Sequence, residues 1–320
     1  MFAAYAARFD ARTPLDALEL GERPDPRVPD HWTVVDVRAA SVNHHDLWTL
    51  RGVGIREEAL PMILGCDAAG TDDRGEEVVI HSVIGATGHG VAPGERPSLL
   101  TEKYQGSFAE RVAVPRWNVL PKPKELSFEE ACCLPTAWLT AYRMLFTQAA
   151  VRPGDTVLVQ GAGGGVATAA VVLGAAAGLR MLVTSRDEAK GRRAVELGAE
   201  AAFGTGERLP RRVDAVLETV GAATWQHSVK SLRPGGTMVI SGATSGQAPP
   251  SAELNRIFYL ELRVVGSTMG TREELAGLMS FCASRGLRPL VDEVLPLDRA
   301  REGLARMESG DLFGKIVLTV

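Results

Sequence analysis

Cysteine is scarce in this chain: four residues, Cys66, Cys132, Cys133 and Cys282, among 320. None forms a C-x-x-C pair, which excludes a disulfide framework and a four-cysteine zinc lobe, and two adjacent thiols in an apolar stretch read as the reduced thiols of a cytoplasmic protein. Blocks of like charge are missing as well. Lys plus Arg number 35 against 39 Asp plus Glu, a formal net charge of −4, so there is no electrostatic footprint for nucleic acid or an anionic membrane. The longest apolar run, Val166 to Leu179, is about a third shorter than a bilayer requires. It carries Gly and Thr, follows a glycine cluster, and reads as a buried helix. The opening residues Met1 to Asp10 lack a basic region and are apolar only briefly, so a strand is expected there rather than a signal peptide. What remains is 45% apolar with 34 Gly and 18 Pro, the composition of a globular protein with a packed core. The length favours two lobes.

The run Trp32 to Val42 alternates and is rich in β-branched residues, and Glu77 to Val83 repeats the pattern between glycine turns. Prolines 24, 26 and 29 and glycines 52, 54, 70, 75, 85, 88, 90 and 94 punctuate the first 120 or so residues, the rhythm of a compact, irregular β lobe. After Pro121-Lys122-Pro123 the character changes. Ser127-Phe128-Glu129-Glu130 has capping-box spacing and leads into a helical pattern through Tyr142, Leu145 and Phe146, which places a boundary near residue 122. Strands and helices then alternate: strands at Thr156–Gln160, Arg180–Thr184, Ala215–Glu218, Thr237–Ile240 and Arg263–Ser267, and helices from Gly165 to Ala177 and through Leu197. Continuous Val/Ile/Leu strands between helices mark an α/β domain with a doubly wound parallel sheet. The last part holds a helix from about Arg272, a strand near Val291, an Asp298-capped helix to Ser309 and a closing strand at Ile316–Val320. That last strand finds its most economical partner in the N-terminal β lobe, giving one domain from residues 1–122 and 270–320 and another from 123–269.

The strand Thr156 to Gln160 runs straight into Gly161-Ala162-Gly163-Gly164-Gly165-Val166-Ala167 and a helix. Glycines let the backbone close on a pyrophosphate, whose charge meets the free N–H groups and positive dipole end of the helix. A tight turn without a ligand is the plain alternative, but strand, glycines, helix and second strand in order favour dinucleotide binding at Gly163, Gly164, Gly165 and Val166.

The segment Ala162 to Ala167 resembles the A-x-G-G-V-G phosphate loop of the medium-chain dehydrogenase/reductases, in particular their zinc-independent quinone oxidoreductase branch, with Ala167 in place of the last glycine. Ala39-Ala40-Ser41-Val42-Asn43, Leu64 to Gly70, Gly106 to Glu110, Val151 to Asp155, Leu232 to Gly236 and Gly314 to Val317 agree in order along nearly the whole chain. The resemblance implies a GroES-like mostly-β domain built from both chain ends, a central Rossmann domain, NAD(P)H in the cleft between them, and a homodimer paired through the edge strand Arg263 to Ser267. At the end of the second strand a carboxylate would bind the adenosine ribose and repel a 2′-phosphate. Ser185 and Arg186 stand there, and by resemblance Lys190 falls where NADPH-using relatives carry a phosphate-binding cation, so NADPH is the expected cofactor. Asp187 or Glu188 would approach the ribose if the strand ran further. Gly242, Ala243 and Thr268 lie at carboxyl ends of strands as nicotinamide contacts, and the family pattern lets Lys315 reach a cofactor phosphate.

Zinc-dependent relatives carry Cys, His-Glu and Cys at three places, which the motifs put at Asn43, Cys66-Asp67 and Thr136. Only Cys66 offers a soft ligand where a catalytic zinc needs three. The loop from Gly85 to Gly106 has no cysteine for a structural zinc, and His44 and His45, as strand neighbours, would point to opposite faces. No metal is expected. Without a Lewis acid, hydride transfer favours acceptors that spread charge through conjugation, quinones and α,β-unsaturated carbonyls. The candidates at the reacting end are Asn43 and Thr136, which the resemblance places beside the nicotinamide, Asp67, His44 as a proton donor or a turn residue, and Trp48 as a substrate wall or a core indole. No tyrosine lies between Asn43 and Cys66, which weakens an enoyl-thioester reductase reading. That activity, an alcohol dehydrogenase-like one, and a non-catalytic NADPH-binding redox-responsive or structural protein are the alternatives. The loops Arg51 to Pro61, Gly85 to Gly106 and Ser245 to Ile257 carry no chemical signature for a particular substrate.

Overall fold

A computed structural model describes residues 1–85 and 97–320. Gly88, Gly90 and Gly94, read above as turns, and half of the Gly85–Gly106 loop lie outside the described residues. The chain forms two compact units, Met1–Leu139 with Gly270–Val320, and Thr140–Met269. The segment 123–139, assigned above to the nucleotide domain, therefore packs with the first unit. Ser127 and Glu130 do make the reciprocal cap, each backbone N–H donating to the other's side chain, but the α-helix they start covers only Phe128–Ala131 and gives way to a π-helical stretch at Leu134–Trp138.

In the first unit, alternation along Trp32–Ser41 sends Val35 and Val37 into the core. The sheet runs in the order Val119–Pro121, Glu77–Ile80, Ala69–Asp72, Trp32–Ser41, Lys315–Thr319 and Val291–Pro296, with Arg111–Pro115 also paired to Trp32–Ser41. The closing strand lies antiparallel on the N-terminal lobe, Val317 opposite Ser41 and Thr319 opposite Ala39, so the two chain ends share a sheet. Leu47, Leu64, Ile80, Phe108, Leu304 and Ile316 fill the core around it. The helix Ala300–Ser309 follows a 3-10 turn at Leu297–Arg299 and takes no side-chain cap. Asp298, expected as its cap, lies inside that turn.

The second unit is a six-stranded parallel sheet in the order Ala201–Gly204, Arg180–Ser185, Thr156–Val159, Val213–Glu218, Leu232–Ile240, Arg263–Gly266. The chain winds outward from Thr156–Val159 in one direction and then restarts at Val213–Glu218 in the other. The strand order thus reverses between these two, the switch point where open α/β sheets bind ligands at their strands' carboxyl ends. The fold class is the doubly wound α/β domain with a GroES-like partner expected from the sequence. Ala201–Gly204 was not foreseen: Ala-Ala-Phe-Gly lacks the β-branched residues by which a strand is read, and pairing with Leu182–Ser185 supplies what propensity does not.

Candidate functional site

The glycine turn sits at that switch point. Gly161 adopts φ +91, a left-handed conformation open to glycine, and so turns the chain out of the strand Thr156–Val159. Gly164 precedes the helix Gly165–Ala176, is exposed, and a Cβ there would meet nothing within 4 Å. This helix has neither a side-chain cap nor an acidic residue in its first turn. By contrast, the neighbouring helix Glu188–Glu196 is capped by Asp187, which accepts from the N–H groups of Ala189 and Lys190 at 2.7 and 3.3 Å. An open helix N-terminus with no carboxylate of its own and no side chain on its approach fits a phosphate group. Gly163, Gly165 and Val166 complete the turn and are half-buried, while Ala167 is buried and takes the packing role of the last glycine.

The second strand ends at Ser185. The Ser185 hydroxyl donates to the Asp187 carbonyl at 2.7 Å and accepts from the Asp187 N–H at 3.1 Å, while the Asp187 carboxylate caps its helix. Arg186 is exposed and Lys190 half-buried. Gly242 and Ala243 follow the strand Leu232–Ile240, and Thr268 is exposed beyond Arg263–Gly266, all at carboxyl ends of the sheet.

In the first unit, the three places that the resemblance gives to metal ligands converge on one carboxylate. Asp67 is fully buried. Its Oδ2 accepts from Ser41 Oγ at 2.6 Å and Asn43 Nδ2 at 2.8 Å, and its Oδ1 accepts from Thr136 Oγ1 at 2.6 Å. The Lys315 ammonium lies 3.8 Å from Oδ2 and donates to Asn43 Oδ1 at 2.6 Å and to the Val42 carbonyl at 2.7 Å. Lys315 is 2% exposed. This lysine, expected at a cofactor phosphate, instead has its charge spent inside the first unit. Asn43, expected to offer its amide dipole to the nicotinamide, has both ends of the amide committed inward, its Nδ2 also donating to the Ser41 carbonyl. Thr136 remains half-buried with its hydroxyl proton given to Asp67, so its oxygen is left as an acceptor only.

The donor set does not fit zinc. Asp67 is saturated by three hydrogen-bond donors and a cation, and Cys66 Sγ turns away to the Leu100 carbonyl and Thr101 hydroxyl at 3.5 and 3.8 Å. Burial pushes the Cys66 thiol well above its usual range, further raised by Asp46 and Asp67, so it stays protonated. Among the described residues no group of three His, Cys, Asp or Glu side chains could hold a metal ion.

His44 and His45 begin a helix, His44–Leu50, rather than ending a strand. The signal was present in the sequence: Asp46 stands three residues after Asn43, and its Oδ2 accepts the Asn43 N–H at 2.8 Å. Asp46 is fully buried, and Oδ1 accepts the Gly65 N–H at 3.1 Å. Desolvation, opposed by these two bonds, raises its pKa to about 7. Burial also lowers His45 to about 4. Loss of solvent around the ring lowers His44 too, with the Lys315 and Arg51 charges adding to the effect, although the residue presents surface to solvent. Trp48 is half-buried with the Arg51 guanidinium 5.2 Å above its ring.

Known proteins share this architecture. Residues 29–124 match the family model described as alcohol dehydrogenase GroES-like domain, and residues 165–284 match the one described as zinc-binding dehydrogenase. A solved structure described as an NAD-dependent alcohol dehydrogenase is 33% identical, covers 100% of both chains and superposes with a TM-score of 0.90. An acryloyl-coenzyme A reductase of Metallosphaera sedula is 27% identical over 94% of this chain and 96% of its own. A quinone oxidoreductase of Rattus norvegicus is 25% identical over 92% and 90%. No described helix is long and apolar enough to cross a membrane. With both domain models in order, a full-length relative at 33% identity and the open glycine turn at the sheet's switch point, the chain belongs to the medium-chain dehydrogenase/reductase superfamily, a nicotinamide-dependent family, and is an oxidoreductase.

Proposed function

We propose that this oxidoreductase is zinc-independent and uses NADPH to deliver hydride to a quinone or an α,β-unsaturated carbonyl. The observation that carries the reading is the state of Asp67: hydrogen-bond donors and the Lys315 ammonium fill the place where a metal-dependent relative needs open ligands. Bound nicotinamide supplies the hydride. The chain's own residues bind the pyrophosphate at the glycine turn, and Asp67, Lys315 and Asn43 hold Thr136 in place. A carbonyl acceptor without a Lewis acid develops full alkoxide charge, whereas a conjugated acceptor spreads it and needs only hydrogen-bond help. NADPH is supported by the strand end, where Ser185 and Asp187 are bonded to each other and to the helix, leaving Arg186 exposed beside them for a 2′-phosphate.

The edge strand Arg263–Gly266, with exposed Val264 and the neighbouring exposed Phe258 and Tyr259, supports a homodimer, and four buried unpaired thiols suit the cytoplasm. NADPH oxidation is measured against a panel of quinones, enones and enoyl thioesters with a chelator present. Turnover of quinones or enones that survives chelation is expected. Activity lost to the chelator and restored by zinc overturns the reading, and tight NADPH binding with no turnover of any acceptor favours a non-catalytic binding protein.

A further inference from the structure

Beneath the glycine turn lies a chain of buried hydrogen bonds running from Glu218 to the Gly161 N–H. It begins at Glu218, a fully buried carboxylate at the end of the strand Val213–Glu218 that accepts from the Val220 and Gly221 N–H groups and the Thr224 hydroxyl. Ser228 Oγ donates to Glu218 Oε2 at 2.6 Å, so its oxygen is left to accept, and it does so from Gln160 Nε2 at 2.9 Å. At the other end, the Gly161 N–H donates to Thr184 Oγ1 at 3.1 Å, and Thr184 donates to Gln160 Oε1 at 2.7 Å. Both neighbours thus fix which way the Gln160 amide points. Its second amide proton faces His227 Nδ1 at 2.9 Å. With that proton directed at it, Nδ1 is the accepting nitrogen and Nε2 the one that donates to the Glu207 carbonyl at 2.8 Å. Gln160, Thr184 and Ser228 are at most 1% exposed, so water does not stand in for a lost partner.

We infer that His227 is a positioning residue for the dinucleotide turn, acting through Gln160 and Thr184, with its Nδ1 as the acceptor that holds the Gln160 amide in one orientation. Without an acceptor at Nδ1 the amide loses one of the partners that fix its orientation, and if it turned over it would give up its bond to Ser228 and take away the acceptor of the Thr184 hydroxyl, which supports the Gly161 N–H. Charged and titratable groups on the elements packed against the helix Trp225–Ser231 are Asp214 and Glu218 on one strand, Arg233 on the next, and Arg256 and Tyr259 on the helix Leu254–Tyr259, with Lys230 on its own helix, Glu253 bonded to Gln226, and Glu207, Arg208, Arg211 and Arg212 on the loop before Val213–Glu218. Of these only Glu218 has a side chain hydrogen-bonded into the chain. Asp214 is bonded to Thr156 and Arg233, Glu207 Oε2 to the Gly204 N–H, and Arg211 to Glu200.

The inference rests on the dinucleotide reading, and one titration series separates the two. NADPH and NADH are titrated by fluorescence into the wild-type chain, His227→Asn, which keeps an acceptor near Nδ1, and His227→Phe, which removes it. For both nucleotides His227→Asn is expected to bind within about twofold of the wild type and His227→Phe to be weakened about three- to tenfold. A His227→Phe loss seen with NADPH but not NADH would belong to the 2′-phosphate and overturn the inference, as would undiminished affinity in His227→Phe or a His227→Asn variant bound as weakly as His227→Phe. Failure of the wild type to bind either nucleotide would overturn the dinucleotide reading itself.

Discussion

Replacing Lys315 by methionine removes a buried positive charge whose partners cannot follow it to water. The ammonium is 2% exposed, donates to the Val42 carbonyl and Asn43 Oδ1, and faces the fully buried Asp67 carboxylate at 3.8 Å. Breaking a buried ion pair by deleting one partner costs about 3–5 kcal/mol, chiefly through the charge left behind. Ser41, Asn43 and Thr136 still donate to Asp67, which puts the expected loss at the lower end, about 3 kcal/mol. The assay is urea unfolding of the whole chain for the wild type, Lys315→Met, Asp67→Asn and the double variant. If the pair acts as a unit, Asp67→Asn recovers part of the loss in the Lys315→Met background, and the double-mutant cycle gives a coupling of about 2 kcal/mol. A Lys315→Met loss below about 0.5 kcal/mol, with additive single effects, would refute the claim that this ammonium neutralises the site. A large loss of NADPH affinity with unchanged stability would instead return Lys315 to the cofactor phosphate.

Asp46 titrates at about 7 in the folded chain against 3.8 as its ordinary value, so it favours folding when protonated. Its stabilising share is complete below its unfolded pKa and lost as pH rises through about 7. The melting temperature of the wild type minus that of Asp46→Asn should therefore shrink between about pH 4 and about pH 8, and a difference that grows with pH contradicts the assignment. Gly164→Asp adds a side chain into open space, so folding measured by circular dichroism should be unchanged. A carboxylate at the helix N-terminus should weaken NADPH binding by at least about tenfold, and unaltered affinity would remove the phosphate from that turn. Arg186→Ala should cut the preference for NADPH over NADH by about tenfold, measured as the ratio of kcat/KM values; an unchanged ratio places the 2′-phosphate elsewhere. Val264→Lys, on the exposed edge strand, should shift the sedimenting species toward monomer, and an unchanged species would show that this edge makes no dimer contact.

The glycine turn was legible because its information is local. Strand residues, glycines and a helix follow one another within some twenty positions, and φ +91 at Gly161 is a demand that only its own backbone makes. The same holds for the parallel sheet, whose continuous apolar strands announce burial on both faces. Asn43 and Asp46 have capping spacing, which starts a helix at His44, whereas the β-branched run before them makes His44 and His45 look like strand neighbours. Asp298 was assigned as a cap because it stands near a helix start, but one 3-10 turn displaces that start to Ala300.

By itself the sequence determined that two lobes exist and that in the central one a glycine turn joins a strand to a helix. The tertiary structure decided where charges end up. Lys315 is separated from Asn43 by 272 positions, and only the pairing of the closing strand with Trp32–Ser41 sets the Lys315 ammonium against Asp67 instead of leaving it for a ligand. Gln160, Thr184 and His227 likewise come together only because the ends of two strands and a helix converge beneath the glycine turn. Local patterns fix backbone conformation, which depends on nearest neighbours; the partner of a buried charge or amide depends on which distant segment packs over it.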